Sequence, residues 1–324
     1  MSRPAVAGGL VVAVTVAAVL SGAATATARS ASPTLGRAPL TGRLDPTGAT
    51  RAHGALAVKI ENTPEARPQA GLDEADVVYE EVVEGGITRF WAVFDSRIPS
   101  TVGPIRSVRA LDPDLVAPLH AVVAYSGGTD PNVVGIRAAT NTWVDETNAG
   151  SAYYRTPDRL APHNLYAHAP LLVARSPSGP PPPLFTYQAA GSAPAGTPVR
   201  AVTLGFAPPY DVTYTYAPAT RTWVRSYHGV PHRAASGRVV APTNVIVQFV
   251  DYTGGGAAQL LGDAPDQTAW VLTAGRLVEG HWSKPNATTP TRFTDRTGAP
   301  IELHPGATWV ELLPVGAAAR TAGP

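Results

Sequence analysis

Four successive prolines, Pro180 to Pro183, sit inside a longer Ser/Pro/Gly-rich stretch that runs from Ser176 to Pro198. Each proline fixes its own φ and lacks an amide donor, so this stretch excludes a helix or a central strand and favours extended polyproline II. The chain is thereby expected to divide into a region 53–175 and a region 199–324, each of ordinary domain size, with 176–198 as linker. A second biased stretch, 29–52, is rich in Ser, Pro, Thr, Gly and Ala and has the composition of a disordered tether.

Ahead of that tether, Arg3 precedes an apolar run from Leu10 to Leu20 and then small residues ending in Ala26-Thr27-Ala28. This is the shape of a signal peptide spanning 1–28, with cleavage before Arg29; the run is short of the about 20 apolar residues that a comfortable membrane span needs. No later segment has the length and apolarity of a transmembrane helix. The expected location is secreted or cell-wall associated.

The chain contains no cysteine, which excludes disulfides, thiolate metal ligands, a cysteine nucleophile and a lipid anchor on a processed cysteine. Loss of Arg3 with the signal lowers Lys+Arg from 25 by one, to equal the 24 Asp+Glu, so the mature chain is formally neutral and bulk nucleic-acid binding is disfavoured. Lys59 and Lys284 are its only lysines.

In the first region, Leu56–Ile60 reads as a short strand, and 77–83 and 87–94 as a hairpin turned at Glu84-Gly85-Gly86. Asp112-Pro113 opens a short helix as N-cap and N1, residues 121–125 return as a buried strand, and Asp130-Pro131 opens a second helix. The second region alternates at period two, with strands expected at 199–206, 212–216, 222–227, 239–250, 270–272, 275–282 and 291–294. The fold class is therefore α+β: a mixed α/β N-terminal domain followed by a mainly antiparallel β domain.

The stretches Ala66–Leu72, Ala75–Glu80, Glu84–Phe90, Gly103–Arg109 and Pro162–Tyr166 resemble the YerB family of bacterial proteins. The segment from Gly275 through Trp282-Ser283-Lys284 to Pro305–Val310 resembles that family's C-terminal companion domain. The resemblance implies a ββα-layered fold of unknown function and brings no residue roles; the missing cysteine departs from the lipoprotein pattern.

Arg106, Ser107 and Arg109 are the sharpest chemical feature. Two guanidiniums three residues apart can clamp a phosphate or carboxylate, with Arg89 as a further candidate. The structural alternative is pairing with Glu80, Glu81 or Glu84 of the hairpin. Gly127 and Gly128 lie between a strand end and a helix start, where free amides attract anions. Neither a phosphate-binding lysine loop nor a dinucleotide fingerprint accompanies them, and no cofactor is expected.

His163 is a candidate general acid or base with Asn164 beside it as a binding residue; the five-residue gap from His163 to His168 does not suit helical metal ligands, so no metal is expected. Glu80 is a candidate catalytic carboxylate, although strand alternation puts Glu80 and Glu81 on opposite faces and surface charge is the plainer reading of both. The serine- and zinc-hydrolase signatures are absent. Of the aromatics Tyr210, Tyr214, Tyr216, Trp223, Tyr227, Trp270, Trp282 and Trp309, most belong in a core, with two or three expected at the surface. The function these features favour is binding of an anionic wall polymer or glycan outside the cytoplasm. The alternatives are an enzyme acting on such a polymer, or a scaffold for another envelope protein.

Overall fold

The computed structural model describes residues 1–2, 36–189, 192, 195–254, 257–263 and 267–324. The expected signal segment and its cleavage site lie outside the described residues from Arg3 onward. Residues from Gly36 to Pro324 form one compact unit.

The first half supplies β1 (Ala55–Glu61), β2 (Val77–Val82), β3 (Thr88–Phe94), helix α1 (Asp112–Val116), β4 (Ala121–Ala124), helix α2 (Asp130–Ala139), β5 (Thr142–Val144) and helix α3 (Ala169–Val173). The longer strands lie within a residue or two of expectation because their β-branched and aromatic runs end at Gly or Pro. Asp112 differs: it is the first helical residue after Leu111, and its carboxylate serves a buried network described below.

The second half supplies β6 (Thr197–Pro198), β7 (Ala201–Leu204), β8 (Val212–Ala217), β9 (Thr222–Tyr227), β10 (Val230–Pro231) and β11 (Asn244–Val250). It continues with β12 (Thr268–Thr273), β13 (Arg276–Ser283), β14 (Arg292–Asp295), β15 (Thr308–Pro314) and β16 (Ala319–Ala322). The molecule is rich in strand with few helices.

These strands form one eleven-stranded sheet in the order β6-β13-β12-β11-β15-β2-β3-β1-β4-β5, with β14 on β13, and a five-stranded sheet β10-β9-β8-β7-β16. The large sheet passes through both halves of the sequence, since β15 pairs in parallel with β2 on one side and β11 on the other. The reason lies in burial: every residue of β15 from Thr308 to Leu313 is buried, as a parallel strand covered on both faces requires. The second half is therefore not purely antiparallel.

The strands β1, β2, β4, β5, β11 and β15 all run the same way. One face of this sheet packs Ala57, Val77, Trp91 and Val93 against Val108, Leu111, Leu115 and Val116 of the α1 region. The other packs Val58, Ile60, Phe90 and Trp309 against Tyr214, Trp223 and Tyr227 of the five-stranded sheet. Of the eight second-half aromatics, only Tyr216 and Trp270 are half-buried, and the other six are buried.

Two expectations for the biased segments differ from what is seen. Residues 36–52 pack on the body: Leu40 is fully buried, its carbonyl accepts from the Tyr187 hydroxyl, and the Thr41 carbonyl accepts from Gly306 N at 2.8 Å. Asp45 holds this segment by accepting from Thr50 Oγ1 at 2.6 Å and Thr50 N at 3.0 Å. The segment 176–198 likewise contributes a buried Leu184 and the strand β6 on β13. A few apolar anchors bring a polar-looking segment onto an existing surface.

Candidate functional site: an arginine cluster at the carboxyl ends of the strands

In open sheets with parallel strands, ligands favour the crevice outside the carboxyl ends. At that end of β1 and β4 the segment 106–109 threads between two strands. Arg106 N donates to the Lys59 carbonyl of β1 at 2.9 Å, Ser126 N donates to the Arg106 carbonyl at 2.9 Å, and Val108 N donates to the Gly127 carbonyl at 3.0 Å. Two motifs well separated in sequence are thus laid side by side. Gly128 permits the approach, because a Cβ there would meet Val108 Cγ2 at 2.8 Å.

Arg89 reaches the same place from β3. Its Nη1 donates to the Ser107 carbonyl at 2.9 Å and to Ser107 Oγ at 3.2 Å. Arg109 Nη1 donates to the same hydroxyl at 3.0 Å while its Nε pairs with Glu84 Oε2 at 2.7 Å. Ser107 therefore collects two guanidiniums. Arg106 pairs with Glu61 Oε1 at 3.0 Å, and the Glu61 carboxylate also holds His163 through Nδ1 at 3.0 Å.

Arg89 is the unusual member. It is only 8% exposed, and among the described residues it has no carboxylate within ion-pair distance. Burial, then the charges of Arg109 and Arg106, push it down to about 10, against the smaller opposing pull of Glu81 and Glu84. A buried cation facing two like charges is costly unless an anion joins it.

Directly under the cluster lies a second set of charges. Lys59 Nζ donates to Glu81 and, at 2.7 Å, to Asp112 Oδ1, which also accepts from Trp91 Nε1 at 2.7 Å. Asp112 Oδ2 accepts the backbone amide of Arg109 at 2.6 Å, which fixes where that arginine starts. Lys59, Glu81 and Asp112 are all fully buried, and burial, reinforced by the Asp112 charge, holds the Glu81 carboxyl well above the usual range.

Sequence reasoning placed Arg89, Arg106, Ser107, Arg109, Gly127 and Gly128 as binding candidates, and the structure brings all six together. His163 joins them through Glu61. Asn164 does not: its Oδ1 accepts at 2.8 Å from Arg155, at the end of the short strand Tyr153–Arg155. Glu80 faces the opposite side of the sheet, fully buried against Arg225, Asn62 and Thr88, so no substrate reaches it and the surface-charge reading of Glu80 and Glu81 is replaced. Both glutamates sit on a strand roofed on each face.

Glu61, Lys59 and Asp112 were not singled out as site residues. The available signals were a lysine embedded in the apolar run of β1 and an aspartate heading a helix. Among the described residues, no group of three His, Asp or Glu side chains is arranged to hold a metal ion.

Comparisons with known proteins agree with this architecture. The family model described as "Protein of unknown function (DUF3048) N-terminal domain" matches residues 40–178, and its C-terminal counterpart matches residues 202–310. A Bacillus subtilis (strain 168) protein described as "Putative lipoprotein YerB" is 35% identical over 131 residues, which are 40% of this chain and 39% of that protein's length. The crystal structure of YerB protein from Bacillus subtilis superposes with a TM-score of 0.74 at 24% identity, covering 88% of this chain and 99% of that one. At that identity the likeness is one of fold. With both family models matched in order along one continuous fold, the chain belongs to the DUF3048 family.

Proposed function

We propose that this is an extracytoplasmic envelope protein that binds an anionic polymer or glycan through Arg89, Arg106 and Arg109. The carrying observation is Arg89, a nearly buried guanidinium without a carboxylate in ion-pair reach among the described residues, which shares Ser107 with Arg109 and lies beside Arg106. A phosphate or carboxylate at this point accepts charge-assisted bonds and relieves the repulsion among the three cations. The N-terminal apolar run ending in an A-x-A sequence, and a relative described as a lipoprotein, support a place outside the cytoplasm.

The enzymatic reading draws on one further observation. His163 is held by Glu61 through Nδ1, and among the described residues its Nε2 makes no hydrogen bond, the arrangement of a positioned general base. The test that separates the readings is sedimentation of the protein with purified wall fractions, with a parallel assay for released fragments. Binding without release, weakened about tenfold or more in Arg89→Gln, supports the binding protein. Release abolished by His163→Ala supports the enzyme. A folded Arg89→Gln variant that sediments like the parent overturns both uses of the cluster.

A further inference from the structure

At the opposite end of the same sheet, by the amino ends of β11 and β15, lies a second basic site. A cavity of about 850 Å³ is lined by Arg37, Arg43, Arg221, His304, Tyr216 and Ala274, among others, and among the described residues by no Asp or Glu. His304 sits at the amino ends of β11 and β15: its carbonyl accepts from Asn244 Nδ2 at 2.9 Å, and its amide donates to Thr273 Oγ1 at 2.9 Å. Strand β1 has seven residues, so this end of the sheet is roughly 20 Å from the Arg89 end at ~3.3 Å per residue. The two clusters share no residue.

The cations here are not used up by the fold. Arg37 donates to the Gly42 carbonyl at 2.6 Å, but the guanidinium groups of Arg43 and Arg221 make no ion pair or hydrogen bond among the described residues. Arg221 stands at the tip of the β8–β9 hairpin with φ of 54°, a left-handed conformation that aims it from the turn. Burial and then the charges of Arg221 and Arg43 lower the His304 imidazole below its ordinary range, so the three groups sense one another. The volume exceeds what a bare phosphate fills and suits a small molecule. Tyr216, half-buried against Trp223 with centroids 5.0 Å apart, gives the wall an aromatic surface of the kind on which sugar rings pack.

We propose that this cavity is a second binding site, specific for a sugar phosphate, with Arg43, Arg221 and His304 on the phosphate and Tyr216 on the ring. Arginine rather than lysine at positions 43 and 221 favours bidentate capture of the phosphate oxygens. The site is independent of the Arg89 cluster and stands or falls without it.

The test is an NMR titration of the His304 ring, with calorimetry, using glucose 1-phosphate, inorganic phosphate and glucuronate as separate probes. A bound dianion favours protonated imidazole, so glucose 1-phosphate is expected to move the His304 titration upward. The double variant Arg43→Gln/Arg221→Gln, altering two exposed and unpaired side chains, is expected to fold as the parent and to weaken binding about tenfold or more, whereas Arg89→Gln leaves it unchanged. An unmoved His304 resonance, or unchanged affinity in the double variant, overturns the site. Inorganic phosphate binding as tightly as glucose 1-phosphate overturns the sugar contact, and tighter glucuronate binding overturns the preference for phosphate.

Discussion

Arg225 of β9 donates to the carboxylate of Glu80 of β2, with both side chains fully buried between the two sheets. Four aromatic rings, those of Phe90, Tyr214, Tyr227 and Trp309, surround the guanidinium, which also bonds Tyr214 Oη at 3.0 Å and His232 Nδ1 at 2.9 Å. Desolvating an ion pair costs several kcal/mol that its mutual attraction need only offset, yet removing one member strands the other. Arg225→Met and Glu80→Gln are each expected to cost about 3 to 5 kcal/mol in urea unfolding, whereas the double variant recovers much of that loss. Additive losses in the double variant would show that the two residues do not act as a pair.

That pair also bears on whether the halves stand alone. A fragment 36–178 exposes the β2 edge that β15 covers and leaves Glu80 without Arg225. Exposed edges and unpaired buried charge both oppose folding. The fragment is expected to lack a cooperative melt, and co-expression with 199–324 to restore one. A dispersed amide NMR spectrum from 36–178 alone would establish the first half as an autonomous domain.

The two flanking arginines of the cluster are expected to separate in their structural weight. Arg109 pairs with Glu84, whose side chain is 53% exposed, so Arg109→Lys should change stability by less than about 1 kcal/mol. Arg106 pairs with Glu61, only 1% exposed, and its Nε is itself buried without a partner. Arg106→Lys loses the planar fork at a buried acceptor, and the expected cost is about 1 to 3 kcal/mol in the same unfolding assay. Equal losses would mean that burial of Glu61 does not govern this pair.

Much of the arginine cluster was legible because local signals carry it. Arg106-Ser107-Val108-Arg109 is contiguous, and the Gly127-Gly128 turn follows a strand that apolar residues mark plainly. The roofing of β2 was not legible. Whether Glu80 is a surface charge or a buried anchor depends on Arg225 of β9 and on β15, both of which arrive only in the second half of the chain. The second basic cavity was hidden for the same reason: Arg43, Arg221 and His304 share no motif, and only the packing of residues 36–52 onto the body brings Arg43 to the wall. Proline content marked 176–198 as a segment unable to form a helix or a central strand, but it said nothing about whether Leu184 would dock or Thr197–Pro198 would pair with β13.

Asp95 gives the fold a distinct dependence on pH. It is 4% exposed, neither carboxylate oxygen has a hydrogen bond, and its amide donates to Asp76 Oδ2 at 2.8 Å; His53 Nδ1 stands 3.9 Å away. Burial, then the charges of Asp76 and Asp45, push its carboxyl from 3.8 up to about 8. Below the unfolded value both states hold the proton and nothing is lost. Between the two values the unfolded chain releases a proton that the folded chain keeps, so stability falls as pH rises and the loss is complete above the folded value. Asp95→Asn removes that ionisation. Each tenfold difference in proton affinity between the folded and unfolded chain is worth about 1.4 kcal/mol, so even partial solvent relaxation leaves an expected gain of at least about 1 kcal/mol for the variant at pH 8, shrinking to nothing at pH 4. Paired thermal melts of parent and variant across that range measure it, and a difference independent of pH would mean that Asp95 is ionised in the native state.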